Sequence, residues 1–463
     1  MTSGPAQDEV RRLLGLIEEL DPRINAVNAV NAHALAEAET LDRETAAGRS
    51  RSALHGRAVL IKDNVDTAGL ASTAGSLALA DSPPEQDAPL VRRLRDSGLV
   101  VLGKTNLSEW ANIRDHHSTS GWSAHGGLTR NPYALNRTAS GSSSGSGAAV
   151  AARLAALAVG TETNGSITSP AACCGVVGLK PTVGLVPTEG VVPISWSQDA
   201  PGPMTLTVAD AAALLDAMAG TSYAVDLERG VRGRRIGVPR DLWGYSEAAD
   251  AASERALSLL SGASAVIVDD LALPALKDLD DEVGLTLMLV ELKVALARYL
   301  ATRDVPVRTL ADVIAFNQEH AEQEMPWFGQ SLFEKAEETE GVSSPAYLES
   351  LDACTAVGLA ELDRTLGEHD LDALVAPATG PATPIDLVNG DPGGGGGASD
   401  SSALAGSPIL TVPLELTHGL PVALSLWGAR GNETRLLQLG RALEAGRDAH
   451  TGPLPAPTFP EWV

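Results

Sequence analysis

Two serine-bearing, glycine-rich loops lie close together in this chain: Gly141-Ser142-Ser143-Ser144-Gly145-Ser146-Gly147 and Thr161-Glu162-Thr163-Asn164-Gly165-Ser166-Ile167. Small residues at this density let backbone approach backbone or a ligand closely, and they leave hydroxyls uncovered. Two hydroxyls sharing a pocket suit nucleophilic attack on a carbonyl, provided that a neighbouring group takes the proton. No histidine is well placed for that task, because His116-His117 falls in a polar segment that reads as surface or pocket lining. Lys62 is the other candidate. It directly follows Val59-Leu60-Ile61, and burial at a strand end disfavours the ammonium form, bringing the pKa towards a value useful for a base. An ion pair of Lys62 with Asp63 or Asp66 competes with that reading, and on residue types alone it prevails.

Two familiar patterns are set aside. Gly98 to Thr105 satisfies the P-loop spelling, but the apolar strand lies between the glycines, so its N–H groups are committed to a sheet and Lys104 reads as a structural strand-end residue. Gly141 to Gly145 satisfies G-x-S-x-G, yet the nucleophile elbow needs an apolar strand directly before it, and Asn131 to Thr138 reads as a turn.

The elements that must hold these residues follow from periodicity. Asp8–Leu20 has apolar residues at helical spacing, with Asp21-Pro22 as its expected end. Apolar runs at 57–61, 99–102, 235–238, 265–268, 373–376, 409–414 and 422–426 predict strands, and a short apolar helix from Ala148 to Gly160 joins the two serine loops. Strands alternating with helix-length segments imply a layered α/β sheet. Residues 281–350 read as a helical region, either a substrate-facing insertion bearing Met325-Pro326-Trp327-Phe328-Gly329 or a cover for the sheet, and glycines 393–397 as a flexible loop, inert or pocket-gating.

Composition bounds the partners. A net charge of −25 repels nucleic acid and anionic lipid. The three cysteines, Cys173, Cys174 and Cys354, have neither disulfide-framework nor zinc-site spacing. Met1 to Glu9 does not read as a signal peptide, and no run approaches the ~20 apolar residues a membrane helix needs. A soluble cytoplasmic protein is expected, without metal or organic cofactor, with oligomeric state open.

Taken together, His55 to Asn64, the serine loop at 141–147, Gly160 to Ile167 and Gly175-Val176-Val177-Gly178-Leu179-Lys180-Pro181-Thr182 closely resemble the amidase signature family in order and spacing. The resemblance extends to Ser407 to Pro413 and His418 to Val422. It implies one α/β/α domain over 1–463 with a large mixed, twisted central sheet, an N-terminal helical arm over 1–50, and the 281–350 helices near the substrate pocket. Carried over, the family's base falls on Lys62, its bridging serine, preceded by a cis peptide, on Ser142, and its nucleophile on Ser166, 24 residues later. Ser143, Ser144 and Ser146 are left as loop hydrogen-bonding residues. Backbone N–H groups of Thr163, Asn164, Gly165 and Ser166 would form the oxyanion hole. Where the family usually has Asp-Thr-Gly-Gly-Ser, this chain has Glu162-Thr163-Asn164-Gly165-Ser166, so Asn164 is expected to take a conformation normally reserved for glycine. His117, Ser118, Trp327 and Phe328 are substrate-binding candidates. The implied activity is hydrolysis of a carboxamide through a serine acyl-enzyme, with the pattern nearest to peptide amidases. A broad aliphatic or aryl amidase and an amidotransferase subunit working with partner proteins are the alternatives.

Overall fold

All seven apolar runs predicted as strands pair into one sheet of 11 strands in this computed structural model, which describes residues 4–392 and 397–462. The order across the sheet is 27–30, 100–105, 58–62, 157–162, 200–205, 177–180, 409–417, 420–427, 373–377, 235–239 and 266–271. Pairing is parallel among 100–105, 58–62 and 157–162 and again among 373–377, 235–239 and 266–271, and antiparallel elsewhere, so the sheet is mixed.

Alternation along the strands sends apolar side chains to both faces, as expected for a sheet covered on both sides. Val59, Ile61 and Val101 enter a core beneath the helices Pro89–Asp96, Val208–Ala219, Glu247–Gly262 and Glu433–Thr451. Ala58, Leu60, Val100 and Leu102 enter the opposite core, beneath Pro5–Ile24, Ala34–Ala46, Ser144–Ala151 and Thr168–Cys174. The fold is therefore a layered α/β/α domain. Each fully buried leucine or isoleucine contributes about 2 kcal/mol.

Several local expectations need correction. The first helix does not stop at Asp21-Pro22 but runs over Pro5–Ile24 with Pro22 inside its last turn. Proline there removes only one helical bond, Asn25 closes the helix in the left-handed region, and the Asp21 carboxylate receives the N–H groups of Ala26 and Val27. The segment from Ala148 to Gly160 is not one helix. Helix Ser144–Ala151 ends where Arg153 turns left-handed (φ 64), and Leu157–Glu162 is a buried central strand. Periodicity cannot separate a short buried strand from a buried helix. Residues 131–138, read as a turn, include the strand Ala134–Thr138, which pairs with Arg130–Asn131 in a two-stranded ribbon outside the main sheet.

The 1–50 segment adds an edge strand, Val27–Val30, antiparallel to Val100–Thr105, between its two helices. Gly103 permits that approach, since a Cβ there would sit 2.1 Å from the Ala29 carbonyl oxygen. Lys104 is fully buried and donates to Val65 O (2.6 Å) and Ser72 Oγ (2.7 Å), so it is a structural residue. Residues 281–350 are helical, including Asp281–Leu300, Leu310–Glu319, Ser331–Glu337 and Pro345–Thr355. Of the glycine loop 393–397, residues 393–396 lie outside the described residues. Among the described residues, all three cysteines are buried free thiols and no helix is long and apolar enough to cross a membrane.

Candidate active site

Parallel pairing brings the carboxyl ends of Ala58–Lys62 and Leu157–Glu162 to the same edge of the sheet. In open α/β sheets, ligands bind outside these strand ends. Lys62, the last residue of its strand, is fully buried. Its Nζ lies 2.8 Å from Ser142 Oγ, 2.9 Å from Thr161 Oγ1 and 3.1 Å from Thr161 O. No carboxylate among the described residues pairs with it directly: Asp63 lies beside Lys104 and Asp66 beside Arg303. Burial therefore dominates and lowers the Lys62 pKa to about 7, against the opposing pull of Glu162 and Asp199.

Ser142 arrives at Lys62 from the loop ahead of helix Ser144–Ala151, and the Gly141–Ser142 peptide is cis. Its neighbours are occupied structurally. Ser143 Oγ donates to Thr161 O (3.1 Å) and accepts from Thr161 N (3.2 Å). Ser144 Oγ donates to Ser140 O, and Ser146 Oγ donates to Val159 O. Gly145 lets the helix start press into the fold, since a Cβ there would lie 2.4 Å from Ala26 O and 2.5 Å from Asn106 O.

The second loop turns between the end of its strand and helix Thr168–Cys174. Glu162 shapes that turn: one carboxylate oxygen accepts from Ile167 N (2.7 Å), Thr168 N (2.8 Å) and Thr168 Oγ1 (3.1 Å). The positive φ falls on Gly165 (φ 80) and not on Asn164, which corrects the sequence expectation. Asn164 is exposed and donates to Asp400 (2.6 Å). Among the described residues, the N–H groups of Asn164, Gly165 and Ser166 donate to no backbone carbonyl. Ser143 N donates to Ser166 O (3.1 Å), which joins the two loops, but among the described residues no hydrogen bond links the side chains of Ser142 and Ser166. Hydrogen bonds of this kind are often long before substrate binds.

A cleft of about 640 Å³ opens beside this loop, lined on one side by Gly141, Asn164, Gly165 and Ser169 and on the other by Tyr245 and Thr379. The amidase family model matches residues 8–437. This chain belongs to the amidase family. It is similar to the native peptide amidase of Stenotrophomonas maltophilia, with 46% identity, 97% of this chain and 95% of that chain covered, and a TM-score of 0.91. A probable amidase of Arabidopsis thaliana is 37% identical over 94% of this chain and 85% of its own. A glutamyl-tRNA(Gln) amidotransferase subunit from Myxococcus xanthus is 36% identical over 97% and 96%. The chain is accordingly an amidase, a hydrolase of C–N bonds.

In this amidase the four substrate-binding candidates do not line the cleft. His117 is exposed, and the Ser118 hydroxyl is turned onto Asp115 O (2.8 Å). Phe328 is buried edge-on against Trp122 and beneath the Arg114 guanidinium, while Trp327 is 44% exposed. Their chemistry suits a pocket, but packing commits Phe328 to the interior.

Sequence reasoning also passed over residues that hold the site. Thr161 bonds Lys62 through both its oxygens, and Asn64 Nδ2 donates to Thr161 Oγ1 (2.9 Å). Asp199 accepts from Thr163 Oγ1 (2.6 Å), Ile194 N (2.9 Å) and Ser195 N (3.0 Å), and burial raises its pKa to about 6. Behind it, Glu291 of helix Asp281–Leu300 accepts from Ser195 Oγ (2.6 Å), Ser197 N (3.1 Å) and Tyr347 Oη (3.0 Å).

Proposed function

We propose that this amidase hydrolyses the C-terminal carboxamide of a peptide or amino-acid amide through a Ser166 acyl-enzyme. The observation that carries the mechanism is the fully buried Lys62 amine 2.8 Å from Ser142 Oγ, with a pKa of about 7. A group neutral near neutral pH can accept a proton where an ordinary lysine cannot. Lys62 draws the proton of Ser142, Ser142 draws that of Ser166, and the Ser166 oxygen attacks the amide carbon. The unused N–H groups of the Asn164–Ser166 turn receive the developing oxyanion. The relay returns the proton to the leaving ammonia, and water then releases the acid by the same route.

The substrate class is supported by the 46% identity to a peptide amidase over nearly the whole chain. An amidotransferase subunit remains a second reading because of the 36% identical relative, and a broad aliphatic or aryl amidase a third. Ammonia release by the purified chain from a dipeptide amide, an aliphatic amide and an anilide separates them. Activity on the dipeptide amide without partner proteins supports the proposal; none without partners favours the amidotransferase reading, and preference for the simple amides favours the broad enzyme. Ser166→Ala is expected to lose turnover and labelling by a serine-directed phosphonate. Retention of both by Ser166→Ala, with loss in Ser143→Ala, would refute the assignment.

A further inference from the structure

Beside Thr161 and Thr163, and sharing no lining residue with the cleft, lies a small cavity with about 10 Å³ open to the centre of a water molecule. That is room for one water. Its polar lining comes from Asn64, Thr161, Thr163, Thr188 and Asp199. Asn64 is 2% exposed, and its Oδ1 has no hydrogen-bond partner among the described residues, although a buried carbonyl oxygen ordinarily finds one.

The hydrogen-bond polarity around Lys62 leaves a second group unsatisfied. A neutral amine has two protons and one lone pair, and three oxygens surround Nζ. Thr161 O can only accept, so it takes one proton. If Lys62 is to receive the Ser142 proton, its lone pair must face Ser142 and its second proton must go to Thr161 Oγ1. Asn64 Nδ2 also donates to Thr161 Oγ1, so that oxygen's own proton needs an acceptor other than Lys62. Were it to turn onto the amine, it would occupy the lone pair on which the base depends.

We propose that the cavity holds one buried water that accepts the Thr161 hydroxyl proton and donates to Asn64 Oδ1 and Asp199. Thr161 and Asn64 are then positioning residues: with the water they point the Lys62 lone pair at Ser142. The inference rests on the reading of Lys62 as base. The charged groups acting on Lys62 are Glu162 and Asp199, and both are unchanged by the test.

The test pairs a high-resolution crystal structure of the whole chain with the pH profile of Asn64→Leu. The crystal is expected to show a water within hydrogen-bond distance of Asn64 Oδ1; an empty cavity, or an Asn64 amide turned so that its oxygen accepts from Thr161, overturns the proposal. Asn64→Leu fills the cavity and lets the Thr161 proton turn onto the amine. On a dipeptide amide, kcat is expected to fall on the order of 100-fold with KM little changed. The acid limb of the profile moves to lower pH, because a hydrogen bond donated to the neutral amine favours that form. A structural defect alone would lower the plateau and leave the limb in place, which also overturns the proposal. Thr161→Ser keeps the hydroxyl and is expected to keep the wild-type limb. Lys62→Met separates the two levels: full activity in that variant refutes the base and not the water.

Discussion

Replacing Lys62 with methionine is expected to abolish activity and, at neutral pH, to stabilise the fold. The Lys62 pKa falls from 10.5 to about 7 on folding because the ammonium loses its hydration. A lysine whose folded pKa lies below its unfolded value binds more protons when unfolded between those two pH values, so its contribution to stability rises with pH across that window. At pH 7 the penalty for keeping this side chain buried is roughly 4 kcal/mol, from about 1.4 kcal/mol per pH unit, and by pH 10 it is under about 1 kcal/mol. Methionine carries no such penalty, but it gives up the contacts to Ser142 Oγ, Thr161 Oγ1 and Thr161 O, at about 1 kcal/mol each. The variant should therefore be more stable than wild type by about 1 kcal/mol at pH 7 and less stable by about 2 kcal/mol at pH 10. The hydrogen-bond loss is common to both conditions, so the swing of about 3 kcal/mol depends on the ionisation alone. Urea unfolding at the two pH values, with unchanged slope, measures it. A variant whose stability relative to wild type is the same at the two pH values, or rises with pH, would refute the claim that Lys62 is buried against its charge.

The wild-type kcat/KM is expected to fall tenfold per unit as pH drops through about 7, where Lys62 becomes protonated; a flat profile down to pH 5 would remove it as the base. Glu162→Ala leaves the N–H groups of Ile167 and Thr168 without their acceptor, which is expected to destabilise the fold by about 2–4 kcal/mol and to lower kcat more than it raises KM, measured by denaturant unfolding and steady-state kinetics. Ser143→Ala loses two contacts to Thr161 and is expected to lose about 1–2 kcal/mol of stability while phosphonate labelling of Ser166 persists.

The strands most readable in sequence were those with β-branched runs bounded by glycine or acidic turns, such as Val59 to Lys62 and Val100 to Leu102. Those overlooked lacked that signature. Leu157–Glu162 follows an alanine-rich helix with Arg153 as the single polar residue between them and no glycine or proline to mark the turn, and Ala200–Thr205 contains two prolines and a glycine, unpromising for a strand whose partners lie on both sides. Lys62, Ser142 and Ser166 are the proposed catalytic residues because the motifs that carry the family resemblance have a fixed order. Asn64 and Asp199 act through contacts between segments far apart in the chain, such as Asn64 to Thr161 and Asp199 to Thr163, and no local pattern announces such pairs. The glycine conformation expected at Asn164 was misplaced by one residue because Gly165 was free to take it.

The Glu291 carboxylate has a practical consequence for remodelling this enzyme. It reaches from the 281–300 helix to Ser195 and Ser197 and, through Asp199, to the turn that carries Ser166. A chimera that exchanges the helical region between relatives to alter specificity would leave those hydroxyls facing a foreign side chain. Residues 193–199 and 281–350 therefore form one cassette for transplantation, although about eighty residues separate them in the chain.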